Sequence, residues 1–233
     1  MKKGLGLAAV AVTLFLLSSA GFGQEACGEW RQIRSCDGIM GYARSNPRSP
    51  VNETKAIGVV DAPVAVLEAV VRDIPAEKQW MFMCSKAYKI ESPEKASSAD
   101  SYYSYFRQGL PWPVSDRYAI MKHELSLDRT TGTLTLRGKG IQDAAVPAQE
   151  RGGMRLPLVE VCCIMKPIAE GKTEVTYQIL ADVGGSLPTP VLQLLTKSLA
   201  VDTIKNVRKM VGKEPYRSAR NIVTTHLTAD ARQ

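Results

Sequence analysis

Few side chains in this 233-residue chain are suited to covalent or acid–base chemistry. Its two histidines are His123 and His226, and an acid, base or nucleophile needs a neighbour that tunes it. There is no Gly-x-Ser-x-Gly elbow, no His-Glu-x-x-His pair, no phosphate-cradling glycine loop and no carboxylate cluster at metal spacing. Gly4-Leu5-Gly6-Leu7-Ala8-Ala9 has the outline of a dinucleotide fingerprint, but it lacks room for the strand that such a turn must follow. His226 falls in a polar tail. His123 alternates with Met121 and Leu125 on one face of an expected strand, so it reads as a hydrogen-bonded core or surface imidazole rather than a base. The expectation is a protein with no catalytic residue, no metal and no cofactor, and not an enzyme.

The five cysteines are Cys27, Cys36, Cys84, Cys162 and Cys163. Cys27 and Cys36 flank Trp30 and make the most credible disulfide if the chain is exported. Cys162 and Cys163 are adjacent on an expected strand and must point to opposite faces, so they cannot share a pocket, and they lack metal or redox spacing.

The elements that must position these residues follow from patterning. Residues 1–23 carry Lys2 and Lys3, an apolar run from Leu5 to Leu17 and small residues up to Gly23, the three-part pattern of a cleaved secretory leader. That apolar run is shorter than the ~20 residues of a membrane span. Removal would leave 28 Lys and Arg against 23 Asp and Glu, a charge of +5. The excess is spread along the chain without the basic and aromatic interleaving of a nucleic-acid groove, and it fits mild attraction to anionic membranes. The remaining residues suffice for one core and show no internal linker. Domain bounds read as 24–212, with a polar tail at 213–233.

Asp37-Gly38 predicts a hairpin within Ile33–Arg44, and a third strand follows at Glu53–Val60. Asp61 reads as the N-cap of a helix carrying Val66, Leu67, Val70 and Val71 on one face, which Pro75 interrupts before a last turn to Trp80. Period-two segments then recur at 82–90, 101–108, 117–127, 133–139, 154–165 and 173–183. A long helix from Val191 to Met210 closes the pattern, its stripe formed by Leu192, Leu195, Leu199, Ile204, Val207 and Val211, with Lys197, Lys205, Arg208 and Lys209 facing water. The fold class is α+β: a curved antiparallel sheet wrapped around one long terminal helix, with a space between them.

One stretch joins this pattern to a known family. Leu110-Pro111-Trp112-Pro113-Val114-Ser115-Asp116-Arg117 is a stiff connector, because two prolines fix φ and remove two donors. It resembles the Pro-Trp-Pro-hydrophobic-Ser-Asp/Asn-Arg-Asp signature of START (StAR-related lipid-transfer) domains, with Tyr118 where that family usually has a second acidic residue. The order of elements is similar to that family over roughly residues 28–211. The resemblance implies the helix-grip (Bet v 1-like) fold and a closed hydrophobic cavity large enough for one lipid. It also implies a buried charged pair in that cavity, without saying which residues serve.

On that resemblance the expected ligand contacts are Tyr103, Tyr105, Arg107, Trp112, Met121, His123, Leu192, Leu195 and Leu199. Trp112 reads either as a cavity closure or as a strand-crossing plug. Arg107, Arg117 and Asp116 read as an ion pair, as solvated surface charge or as a polar anchor for a lipid headgroup. The expected function is non-catalytic binding and transfer of one hydrophobic molecule by an exported, periplasmic or secreted monomer that touches membranes transiently and binds no nucleic acid. The terminal helix, with a loop near Gln142–Gly153, would be the gate. The alternative is a cyclase/aromatase-like or hydrolase-like enzyme acting on an apolar substrate in the same cavity.

Overall fold

The structure, a computed structural model, describes residues 27–90, 100–142, 150 and 152–219. The leader at 1–23, most of the tail including His226, and most of the Gln142–Gly153 loop lie outside the described residues.

The chain runs β1 (Arg31–Cys36), β2 (Ile39–Asn46), β3 (Ser49–Val60), α1 (Val64–Arg72), a 3₁₀ turn (Ile74–Ala76) and α2 (Glu77–Trp80). It continues through β4 (Cys84–Ile90), β5 (Ser101–Gln108), β6 (Arg117–Asp128), β7 (Thr133–Gly140), β8 (Met154–Arg155), β9 (Leu158–Ala169) and β10 (Lys172–Asp182). It then forms α3 (Thr189–Met210) and a last 3₁₀ turn (Tyr216–Ser218). The strands make one sheet in the order β1-β2-β3-β10-β9-β7-β6-β5-β4, with two-residue β8 added beside β6. Every pairing is antiparallel except β6 with β8.

Local chemistry accounts for these elements. Asp37 and Gly38 both have positive φ, 53° and 70°, the backbone that a two-residue hairpin turn with right-handed twist demands. The expected 154–165 strand is broken at Pro157, so Met154–Arg155 pairs with β6 and the rest becomes β9. The cap of α1 also differs from expectation: Pro63 occupies the N-cap and no side chain caps the helix. Pro63 already has extended backbone there, so the N-cap lies two residues beyond Asp61 and the helix starts at Val64.

The core lies between the concave sheet face, α1 and α3. Val66, Leu67, Val70 and Val71 of α1 join Ile39, Ala56 and Val60 of the sheet and Val201, Ile204, Val207 and Met210 of α3 in one continuous cluster. The expected frayed tail is partly folded: Tyr216 is buried and its hydroxyl donates to Asp73 Oδ2 at 2.6 Å, fastening residues 213–218 to α1.

One further expectation is corrected. All five cysteines are free thiols, so Cys27 and Cys36 are not bridged. β1 keeps residues 31–36 extended over roughly 16 Å. A disulfide needs Cα atoms within about 7 Å, and the Gly28 amide donating to the Ser45 carbonyl at 2.9 Å holds the residues before β1 along β2, away from Cys36. Cys163 does face the core while Cys162 faces outward beside Arg137, as adjacent strand residues must.

Candidate functional site

A hollow opens between the concave sheet face and the first half of α3, with α2 and the residues after it forming one wall. Its lining is mostly apolar: Phe106, Met121, Leu136, Leu156, Val159, Val161, Ile179 and Val183 from the sheet side, Trp80, Met81 and Phe82 from the α2 region, and Leu195 and Leu199 from α3. A few polar side chains interrupt it, among them Asn52, Thr54, Glu77, Ser104, Gln108, His123, Tyr177 and Thr196.

The hollow is narrower than a lipid requires. Its enclosed volume is about 70 Å³, widening to roughly 940 Å³ when the open mouth is included. Drug-sized ligand pockets run about 300–1,000 Å³. The expected hollow between the sheet and the last helix is therefore present but small, and a lipid would have to widen it.

The expected contacts divide by strand face. Met121, His123, Leu195 and Leu199 line the hollow, whereas Leu192 packs against the core beside it. Tyr103, Tyr105 and Arg107 do not reach the hollow. On β5 it is Ser104, Phe106 and Gln108 that point inward, because Ser104 lies opposite Met121 and Tyr102 opposite His123 in the β5–β6 register. The alternate residues must face the other way. Tyr105 is nonetheless fully buried on that outer face, stacked against Tyr88 and Tyr118 at 5.0 and 5.9 Å and packed with Ile120. Arg107 donates to Tyr105 Oη at 3.2 Å and to the carbonyls of Glu150 and Gly152 at 3.2 and 3.1 Å. Buried Glu150 also takes the Lys86 ammonium. This outer patch is structural.

Trp112 is 93% exposed, so it is neither a cavity closure nor a plug. Its indole meets solvent on a turn closed by the Val114 amide, which donates to the Pro111 carbonyl at 3.0 Å. Arg117 is buried but pairs with no carboxylate among the described residues. Its guanidinium donates to the carbonyls of Val183 (2.5 Å), Ser115 (2.5 Å) and Gly184 (3.1 Å), tying the Pro-Trp-Pro loop to the connector that leads into α3. Asp116 instead accepts from the Leu110 backbone at 3.4 Å. The Arg107–Asp116–Arg117 ion pair is thus corrected: carbonyl dipoles satisfy Arg117, and its burial without a counter-charge lowers its pKa.

Two groups inside the hollow have strongly shifted protonation. Glu77 lies on α2, 3% exposed, and burial raises its carboxyl to about 8. Burial likewise lowers His123 to about 4. His123 Nε2 and Ser104 Oγ lie 2.8 Å apart, and the Tyr102 ring stacks on the imidazole at 4.7 Å. His123 Nδ1 has no hydrogen-bond partner among the described residues. Sequence reasoning missed Ser104 and Glu77. Ser104 was findable from His123 and Met121, since antiparallel neighbours share a face. Glu77 had no such signal, because a carboxylate after a proline reads as surface.

No group of three or more potential metal ligands occurs among the described residues, and no described helix is long and apolar enough to cross a membrane.

A curved antiparallel sheet gripping a terminal helix defines the helix-grip class of α+β proteins. Within that class the chain belongs to the START domain family, which matches residues 22–216. It is 25% identical over 191 residues to an uncharacterized protein of Pseudomonas aeruginosa PAO1, covering 82% of this chain and 91% of that one. Its fold is similar to that of a STAR-related lipid transfer protein from Xanthomonas axonopodis, with a TM-score of 0.68, 24% identity, and 79% of this chain and 99% of that chain covered. It is also similar in fold to human StAR-related lipid transfer protein 5, with a TM-score of 0.68, 17% identity, and 78% and 86% covered.

Proposed function

We propose that this protein binds one hydrophobic molecule, a lipid or a lipid-like amphiphile, in the hollow beneath α3 and carries it without chemical change. The observation that carries the reading is an apolar hollow roofed by Leu195 and Leu199 in a chain of the START family. At ~25 cal/mol per Å², a ligand that buries several hundred Å² is held by several kcal/mol without covalent bonds. The narrowness of the hollow requires the first half of α3 to lift before a ligand enters and to close after it. The Ser104–His123 contact does not favour hydrolysis, because Nδ1 lacks the carboxylate that would orient the ring and stabilise its cation.

Trp112 supports transient membrane contact: it stands 93% exposed on the loop that Arg117 joins to the connector leading into α3, and Met154, 42% exposed, bonds through its amide to the Asp116 carbonyl of that loop. The leader-like residues 1–23 support export to a periplasm or to the medium, with the protein acting as a monomer and without nucleic acid.

Organic extraction of purified protein followed by lipid mass spectrometry tests the reading. One lipid class at near-equimolar yield is expected. A ligand-free protein that also fails to take lipid from vesicles rejects it, and Ser104-dependent cleavage of a p-nitrophenyl fatty ester would reject the non-catalytic part. Trp112→Ala is expected to keep bound lipid yet slow vesicle-to-vesicle transfer; unchanged transfer rejects the membrane contact.

A further inference from the structure

The polar groups of the hollow narrow what its ligand can be. Ser104 and His123 form one station on the sheet wall. The imidazole is held on both sides: Tyr102 stacks on it, with its own hydroxyl donating to the Val71 carbonyl at 3.2 Å, and Gly138 leaves it room, since a Cβ there would stand 3.1 Å from Nδ1. Glu77 forms a second station on the α2 wall. It is buried and lines the hollow, and its carboxyl enters no ion pair among the described residues. Tyr102 connects the two, stacking on His123 while lying within electrostatic reach of Glu77.

Among the described residues, no lysine or arginine lines the hollow. The buried arginine nearest in the chain to this wall, Arg117, does not line it and already donates to three carbonyls. An anionic head brought into the hollow would lose its hydration and meet no cation, a cost that apolar burial of the tail does not remove. A neutral hydroxyl or carbonyl can instead exchange its waters for bonds to these fixed groups. We infer that the hollow selects an uncharged amphiphile whose head is a hydroxyl or carbonyl, bonded at Ser104–His123 and at Glu77, and that it excludes carboxylate and phosphate heads. The protonation states agree: at neutral pH burial keeps the imidazole neutral and holds the carboxyl largely protonated, so both stations offer donors and acceptors without net charge. This inference rests on the carrier reading and names its ligand class.

The test uses full-length protein loaded with the neutral dye Nile red and displaced at pH 7 by three twelve-carbon probes: dodecan-1-ol, dodecanoate and dodecylammonium. The alcohol is expected to bind at least tenfold tighter than either ion. Ser104→Ala and Glu77→Leu are each expected to weaken the alcohol by about three- to tenfold while leaving dodecanoate unchanged. Dodecanoate or dodecylammonium binding as tightly as the alcohol overturns the inference and leaves the carrier reading standing. Displacement by none of the three, or no dye uptake at all, removes the carrier reading itself. Should a variant fail to fold, as its thermal melt would reveal, the wild-type ranking of the three probes still decides.

Discussion

The two halves of α3 are built for different work. From Val201 to Met210 the helix is fastened at every turn: Val201, Thr203, Ile204, Val207 and Met210 are buried, and polar contacts surround them. Asp202 pairs with Arg34 at 3.0 Å, Lys205 with Asp37 at 2.9 Å, and Arg208 donates to the carbonyls of Val59 and Asp37 at 2.8 and 2.6 Å. The Phe82 amide donates to Thr203 Oγ1, and Asn206 donates to the Trp80 carbonyl. From Thr189 to Leu199 the helix buries only Val191 and Leu195, leaves Leu194 38% exposed, and lies over the hollow. One continuous helix thus acts as an anchor at one end and a cover at the other. Regions with few buried contacts open at lower free energy than the core, so the cover can lift while the anchor holds.

The largest effect should come from the anchor. Ile204→Ala removes a fully buried side chain and is expected to cost about 2–5 kcal/mol in urea unfolding. Leu199→Ala, at a half-buried position of the cover, should cost about 1 kcal/mol yet weaken lipid retention. Equal costs would erase the distinction between the halves.

A second effect separates the two buried titrating groups. Glu77 has a folded pKa near 8 against an ordinary 4.5, so between those values the folded chain holds a proton that the unfolded chain releases. Stability is therefore lost as pH rises through that window, with a slope approaching about 1.4 kcal/mol per pH unit. Glu77→Gln should gain on the wild type progressively from pH 4.5 to 8. His123 has the opposite sign: its pKa falls from 6.5 to about 4, so its penalty appears as pH drops from 6.5 to 4. His123→Asn should flatten that acid limb. Urea titrations at pH 4 to 9 check both, and a pH-independent difference between Glu77→Gln and wild type would mean that the carboxyl is not buried.

Hydrogen exchange followed by mass spectrometry tests the cover without mutation. Amides of 192–199 are expected to exchange at least tenfold faster than those of 201–210, and to slow when lipid is bound. Uniform protection along α3 would mean that ligand enters elsewhere.

How much of this could be read beforehand depends on whether the deciding contact was local. The Asp37-Gly38 hairpin, the alternating strands and the last helix follow from spacing within a few residues, and all are present. The face of β5 was not decided locally, since Tyr103, Tyr105 and Arg107 alternate with Ser104, Phe106 and Gln108 and both sets carry an aromatic. What decides it is a long-range fact: Tyr88, Tyr118 and Ile120 supply a second apolar patch on the outer face, which buries Tyr105 there. Arg208 and Lys205 read as solvated charge for the same reason. Only the return of the β1–β2 turn and the end of β3 beneath α3 gives them Asp37 and the Val59 carbonyl as partners. The Pro-Trp-Pro segment disclosed the family but misplaced its own tryptophan, because proline stiffness dictates an extended crossing without dictating which way the indole points.

The smallest expected effect bears most directly on where the helix bends. Asp202 and Arg34 are partly exposed, with side chains 23% and 30% accessible, so Asp202→Asn should cost at most about 1 kcal/mol, and less in high salt. Arg34 would keep its 3.4 Å contacts with the Lys197 carbonyl and Ser198 Oγ, at the junction of the two halves. If the anchor holds while the cover moves, loosening one pin of the anchor leaves the rate of Nile red uptake unchanged within twofold. A tenfold acceleration would mean that the whole helix swings out as a unit. The junction at Lys197–Leu199 would then be a passive stretch of α3 rather than its hinge.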